Sequence, residues 1–248
     1  MNKVIIITGA SRGIGAATAI LAAKKGYDVC VNYFQNKEAA EKVVNEIIKL
    51  GQKAISIRAD ISSEKDVEEM FDTAAEKLGY VNAFVNNAGI LEKQMRLDEM
   101  SSERLERIFK TNITGYFLCS REAVKKMSTK YGGTGGSIVN VSSVASRVGS
   151  PGEYIDYAAA KGAIDTMTIG LAKEVAEEKI RVNAVRPGFI YTDIHASGGE
   201  PERIERVKQF VPMKRGGYPE EVANAILWLL SDEASYTTGS FIEIAGGK

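Results

Sequence analysis

The chain has 248 residues, a length at which one domain can still close around a single core and bury roughly 70–75% of the unfolded chain's surface. Its 32 basic and 32 acidic side chains cancel, and 44% of its residues are hydrophobic, so neither a nucleic-acid nor an anionic-membrane partner is indicated. Cys30 and Cys119 stand in apolar contexts with no CxxC spacing and no adjacent histidine, which argues against a disulfide framework and a metal site.

The first apolar run, residues 4–7, is too short for a secretory segment. No run approaches the ~18 apolar residues of a transmembrane helix, and a soluble, cytoplasmic protein is expected. Runs rich in Val and Ile then recur at 3–7, 28–33, 53–59, 82–86, 137–142, 180–186 and 241–245. Continuous apolar runs of this length suit strands covered on both faces. Between them, helical spacing marks 14–25, 37–50, 63–78, 101–126, 154–178 and 219–231. The alternation predicts one α/β domain over residues 1–248, a Rossmann-type doubly wound parallel sheet of about seven strands. Residues 193–217 break the rhythm. They hold Gly198, Gly199, Pro201, Pro212, Gly216 and Gly217 around a short amphipathic piece, and are expected to form a substrate lid.

The first strand runs into "TGASRGIG", residues 8–15. Its spacing, Gly9-x-x-x-Gly13-x-Gly15, matches neither GxGxxG nor a P-loop, yet the physics is shared. Glycines allow the tight turn and a close backbone approach, and the helix N-terminus faces a pyrophosphate. The second strand ends in "VNYFQN", residues 31–36, without the Asp or Glu that would bind a ribose 2′-hydroxyl. Arg12 lies in the glycine loop, where a guanidinium can pair with a 2′-phosphate, so NADP(H) is favoured over NAD(H). A second basic residue is missing at position 34, which is Phe.

Tyr157 and Lys161 in "YAAAK" are four residues apart, hence on one face of a helix, whereas Tyr154 is about two turns from Lys161. An ammonium about 4 Å from a phenol, at an effective dielectric near 20, favours the phenolate by up to ~4 kcal/mol before desolvation opposes it. A tyrosine tuned in this way is suited to pass a proton to and from a substrate oxygen.

Together with "AD" at 59–60, "NNAG" at 86–89, Asn112, "SIVNVSS" at 137–143, "RPG" with Thr192, and the closing "GSFIEIAGG", these motifs resemble the short-chain dehydrogenase/reductase superfamily over nearly the whole chain. The chain is similar to the group that includes 3-oxoacyl-carrier-protein reductases and bacterial glucose dehydrogenases. The resemblance implies hydride transfer between a nicotinamide and a carbonyl or secondary alcohol. Its catalytic residues would be Asn112, Ser143, Tyr157 and Lys161. Its cofactor contacts would be Gly9, Ser11, Arg12, Gly13, Ile14, Gly15, Asp60, Ile61, Asn87, Ala88, Gly89, Tyr157, Lys161, Pro187, Gly188, Ile190 and Thr192. Asp60 and Ile61 would meet the adenine, Asn87 would brace the sheet, and Ile190 and Thr192 would hold the carboxamide. Lys161 would also bond the nicotinamide ribose, and Asn112 would hold a relay water through its helix backbone.

The family's serine usually precedes the tyrosine by about thirteen residues; Ser143 precedes Tyr157 by fourteen and Ser142 by fifteen. Ser143 is the candidate, Ser142 the alternative, and one extra loop residue is expected around 150–152. His195 is the only histidine, and lid packing or substrate contact is expected of it rather than base catalysis. Glu153 and Tyr154 are candidates either for the pocket wall or for the start of the catalytic helix. Two further readings stay open: a 3-oxoacyl-carrier-protein reductase with a docking surface of Lys125, Lys126, Lys130 and Lys173, and a dinucleotide-sensing binding protein without catalysis. The resemblance also implies a homotetramer built on the helices at 101–126 and 154–178 and the last strand.

Overall fold

The computed structural model describes residues 3–248; Met1 and Asn2, included in the expected domain, lie outside the described residues. Seven strands form one sheet: β1 (Lys3–Ile7), β2 (Tyr27–Tyr33), β3 (Ala54–Arg58), β4 (Val81–Asn86), β5 (Gly136–Val141), β6 (Ile180–Pro187) and β7 (Phe241–Ile244). Their order is β3-β2-β1-β4-β5-β6-β7, and every pairing is parallel. The order reverses between β1 and β4, which opens a crevice at the carboxyl ends of the strands.

Alternation along β1 shows why these runs are continuous rather than two-faced. Ile5 and Ile7 pack into one apolar layer with Val43, Ile47, Val222 and Ile226, while Val4 and Ile6 pack into the other with Val67, Phe71, Phe84 and Ala123. The first layer is supplied by α1 (Gly13–Lys24), α2 (Lys37–Lys49) and α10 (Pro219–Leu230). The second comes from α3 (Glu64–Leu78), α5 (Gly115–Met127) and α7 (Ile155–Glu174). Phe71 meets Phe84 edge to face at 5.3 Å between ring centres. Local signals set the helix starts: Asn36 accepts from the Ala39 N–H at 2.9 Å, and Pro219 opens α10.

The segment expected as one helix over 101–126 has three parts. α4 (Ser102–Phe109) leads into a π-helical turn at Lys110–Thr114 and then α5. A π turn of this kind releases the regular ladder, and Asn112 sits inside it, fully buried. The helix expected over 154–178 ends earlier, at Glu174, and a 3₁₀ turn at Ala176–Glu178 completes it. The segment 193–217 carries the short helices α8 (Ile194–Ser197) and α9 (Arg203–Val207), and a bridge between Ile190 and Gly217 closes its base. A last short helix, α6 (Ala145–Val148), follows β5.

Candidate active site

The glycine loop is held from the neighbouring strands. Gly9 has φ 62°, and a Cβ on it would sit 2.9 Å from the Ala88 Cα; a Cβ on Gly15 would sit 2.5 Å from the Gly9 carbonyl oxygen. No larger residue fits at either place. Asn32, at the end of β2, accepts from the Gly9 N–H at 3.1 Å through Oδ1 and donates to the Ala59 carbonyl at 3.1 Å through Nδ2. It thereby ties the loop after β1 to the end of β3. Arg12 caps α1 with extended backbone and no side-chain capping bond, the first turn has no acid, and its guanidinium is exposed. An anion finds uncontested N–H donors there. Phe34, Gln35, Asn36 and Lys37 line the same end of the cleft, with Glu38 beside Lys37.

Asn87 donates to the Thr8 carbonyl at 2.8 Å, and its own N–H donates to the Thr8 hydroxyl at 2.8 Å, so it joins β4 to β1. Asp60 and the buried Ile61 line the cleft at the end of β3; Asp60 accepts from the Ser62 N–H at 2.9 Å. Pro187 ends β6, and the Gly188 N–H donates to the Ile244 carbonyl at 2.9 Å. Thr192 packs its methyl against Gly13 and donates to the Ile190 carbonyl at 3.3 Å, joining the start of the segment 193–217 to the glycine loop.

Tyr157 and Lys161 lie on the first turns of α7, facing the end of β5. Tyr157 keeps partial exposure to the cleft, whose wall it shares with Ser143. The adjacent Ser142 turns the other way: it is buried and donates to Asp165 Oδ1 at 2.6 Å. Lys161 is buried, with Nζ 5.5 Å from the centre of the Tyr157 ring. The ammonium donates to the Val141 carbonyl at 2.7 Å and to the Tyr116 hydroxyl at 2.9 Å. Asn112 accepts from the Ile90 N–H and donates to the Ile90 carbonyl, both at 2.9 Å, which fixes the π turn to the loop after β4.

The electrostatics correct one expectation. Burial pushes the Tyr157 phenol up to about 12, and only the Ser143 hydrogen bond works against it. Burial also pulls the Lys161 ammonium down to about 7, with Asp165 opposing. Desolvation sets the direction of both shifts, so the phenol is raised rather than lowered, the reverse of the expectation from spacing.

Residues 150–152, where one extra loop residue is expected, form a tight loop in which Ser150 takes a left-handed φ of 45° and its carbonyl accepts the Glu153 and Tyr154 N–H groups. Tyr154 caps α7 and donates to the Gly198 carbonyl at 3.3 Å; Glu153 pairs with Arg203 and Arg206. Both line the cleft and fasten the segment 193–217 to the start of α7. His195, buried, donates from Nε2 to the Ile190 carbonyl at 3.0 Å; burial and then the Arg203 charge lower its pKa.

Ser143, Tyr157, Lys161 and most of the expected cofactor contacts border one cleft of about 1330 Å³, larger than the roughly 300–1,000 Å³ of a drug-sized site and sufficient for a dinucleotide together with a small substrate; Asn112 and Gly15 stand behind its lining. A family model described as enoyl-(acyl carrier protein) reductase matches residues 9–248. The chain belongs to the short-chain dehydrogenase/reductase superfamily. It is an NAD(P)-dependent oxidoreductase of that superfamily. It is 61% identical over 245 residues to the uncharacterized oxidoreductase YgfF of Escherichia coli, covering 99% of each chain. It is 41% identical over 246 residues to a 3-oxoacyl-[acyl-carrier-protein] reductase of Synechocystis, covering 99% of this chain and 96% of the relative. Among solved structures, a short-chain dehydrogenase of Burkholderia cenocepacia in complex with NADP superposes with TM-score 0.91 at 30% identity, covering 100% of this chain and 98% of that one.

Three residues of this oxidoreductase escaped the sequence reading: Asn32, Tyr116 and Asp165. Asn32 lies inside "VNYFQN", already singled out for its missing acid, and an amide at that strand end was the available signal. Asp165 stands four residues after Lys161, a spacing that was the available signal, whereas Tyr116 carries none because its partner is 45 residues away.

Proposed function

We propose that this oxidoreductase interconverts a carbonyl and a secondary alcohol with Tyr157 as proton donor and acceptor, Ser143 as donor to the substrate oxygen, Lys161 as the charged support and Asn112 as the fixed point of a relay. The observation that carries this reading is that Ser143 and Tyr157 line the same cleft, while the Ser142 hydroxyl is committed to Asp165. Two hydroxyls side by side can both donate to one oxygen, and the negative charge that develops there is the charge such donors stabilise. A bound nicotinamide supplies or takes up the hydride.

Each group of the chain then has a defined task. Tyr157, held protonated by its high pKa, gives its proton to the forming alkoxide and in the reverse direction takes one back. Lys161 compensates the phenolate left behind and bonds the ribose, for which one of its three N–H donors remains after Val141 and Tyr116. Asn112, pinned by Ile90, keeps the π turn in place beside Lys161. A dinucleotide sensor would have no use for this full set, which disfavours the non-catalytic reading.

The cofactor preference we propose is NADP(H) over NAD(H), held by Ser11 through Gly15, Asp60 and Ile61, Ala88 and Gly89, and Pro187 through Thr192. Exposed Arg12 and Lys37 support a 2′-phosphate at the end of β2, against the single carboxylate of Glu38. For the acyl-carrier-protein alternative, Lys125 and Lys126 are already neutralised by Glu122 and Asp72 at 2.8 and 2.5 Å, which leaves Lys130 and Lys173 as a small basic surface. A small carbonyl or alcohol substrate is the better reading. A cytoplasmic location is part of the proposal; no helix among the described residues is long and apolar enough to cross a membrane. Phe117 on α5 and Ile169 on α7 are 50% and 42% exposed, which supports a homotetramer through these helices; elution as a monomer overturns it. The reaction itself is tested by following oxidation of NADPH and NADH with a panel of ketones, aldehydes and 3-oxoacyl thioesters, and the reverse reaction with alcohols. Turnover with at least one carbonyl, and kcat/KM higher for NADPH, is expected; no turnover with any of them overturns the reading.

A further inference from the structure

Asp165 lies one helical turn beyond Lys161 on the same face of α7, and its carboxylate is buried. Three parts of the site meet on it. Oδ1 accepts from the Ser142 hydroxyl at 2.6 Å, which fixes the residue preceding Ser143; the same hydroxyl lies 3.3 Å from the Lys161 carbonyl. Oδ2 accepts from Arg186 at 3.1 Å (Nε), with Nη2 at 3.0 Å; Arg186 precedes the Pro187–Gly188 turn. Arg186 in turn rests on the Phe241 ring at 4.0 Å and reaches Glu243 at 3.3 Å, which also holds Arg147 at 2.6 Å.

We infer that Asp165 is a positioning residue of this site, bracing the strand end that carries Ser143 and serving as the fixed counter-charge of the buried Lys161 ammonium. The inference rests on the reading of Tyr157, Ser143 and Lys161 given under Proposed function. It follows from the surroundings of Lys161. Its two hydrogen-bond partners, the Val141 carbonyl and the Tyr116 hydroxyl, are neutral, and so is the Tyr157 phenol. From α4, Arg104 is bound to Asp156 at 2.8 Å, so that pair is balanced; from α6, Arg147 is bound to Glu243. From β6, Arg186 is bound to Asp165 at 3.0 Å. Asp165 is the group that raises the Lys161 pKa against burial, which by itself pulls it down. The pair with Arg186 shares this carboxylate between two cations, so the charge felt by Lys161 depends on a residue in β6.

Two substitutions then act in opposite directions. Asp165→Asn keeps a bond to Ser142 but removes the charge, and Lys161 loses its proton at a lower pH. Arg186→Met leaves Asp165 uncompensated, and Lys161 keeps its proton to a higher pH. A brace without electrostatic effect would move neither midpoint.

The test titrates Lys161 by NMR of Cε-labelled lysine in the cofactor-free protein, with Lys161→Met to assign the resonance. A midpoint near 7 is expected for the wild type, lower by about one unit or more in Asp165→Asn and higher in Arg186→Met. Should Asp165→Asn fail to fold, the double variant Asp165→Asn/Arg186→Met, which leaves no unpaired Arg186, carries the same expectation of a lowered midpoint. The alkaline limb of kcat/KM for carbonyl reduction should move in the same directions. Unmoved midpoints, or shifts of the same sign in the two single variants, overturn the role of Asp165. A wild-type protein that reduces no carbonyl overturns the functional reading instead, and the titration separates the two failures.

Discussion

The Tyr116 hydroxyl accepts from the Lys161 ammonium at 2.9 Å and donates to the Val141 carbonyl at 3.0 Å, the same oxygen that Lys161 reaches at 2.7 Å. A buried cation is thereby closed into a triangle with a strand end and a helix that is 45 residues earlier in the chain. Replacing Tyr116 by Phe keeps the ring under the ammonium, 4.5 Å from its centre, and deletes one acceptor. A loss of about 1–3 kcal/mol in urea unfolding is expected, the range for leaving a buried donor short of a partner.

Ser142 and Ser143 are adjacent yet separable by experiment. Ser143→Ala removes a donor to the substrate oxygen and is expected to lower kcat by about 10²–10³ while leaving the urea midpoint nearly unchanged. Ser142→Ala leaves the buried Asp165 without one of its donors and is expected to cost about 1–3 kcal/mol of stability, with a smaller effect on kcat. Equal kinetic effects of the two variants would contradict this division.

The pH dependence of stability has a sign that can be worked out from the same groups. Lys161 releases its proton near 7 in the folded protein and near its ordinary value when unfolded, so above 7 the unfolded chain binds more protons and stability rises with pH. Cys30 and Tyr157, each pushed up to about 12, and Cys119, raised beyond them, act oppositely once the unfolded thiols ionise near ~8.5. Stability should therefore climb between pH 7 and about 8.5, by at most ~1.4 kcal/mol per unit, and fall beyond about 9. Lys161→Met should abolish the climb and keep the fall, as read by urea unfolding across that range.

The segment 193–217, which we propose as the lid, is fastened to the start of α7 by Arg203, which pairs with Glu153 and covers the Tyr154 ring at 4.8 Å. Arg203→Met should loosen residues 193–217, raising KM for the substrate several-fold and increasing their amide exchange, with cofactor affinity little changed. Unaltered KM would show that this pairing has no part in substrate capture.

Much of the fold could be read from residues because strands covered on both faces leave continuous apolar runs, as Val4 to Ile7 does between two layers. Tyr157 and Lys161 could be paired because their relation is local, one helical turn. The π turn around Asn112 could not, since its helical spacing matches that of the helices on either side and only its bonds to Ile90 give it away. The direction of the Lys161 and Tyr157 shifts was likewise hidden: proximity of charge can be inferred from spacing, but burial of both groups depends on how β5, the π turn and α7 close together.

The most direct measurement compares Tyr157→Phe with Tyr154→Phe in steady-state turnover and in cofactor binding by fluorescence. Tyr157→Phe is expected to lower kcat by about 10²–10⁴ with cofactor affinity nearly intact, while Tyr154→Phe, which loses only its bond to the Gly198 carbonyl, keeps turnover within several-fold of wild type. A Tyr157→Phe enzyme that retains most of its turnover would contradict the assignment of Tyr157 as the proton carrier.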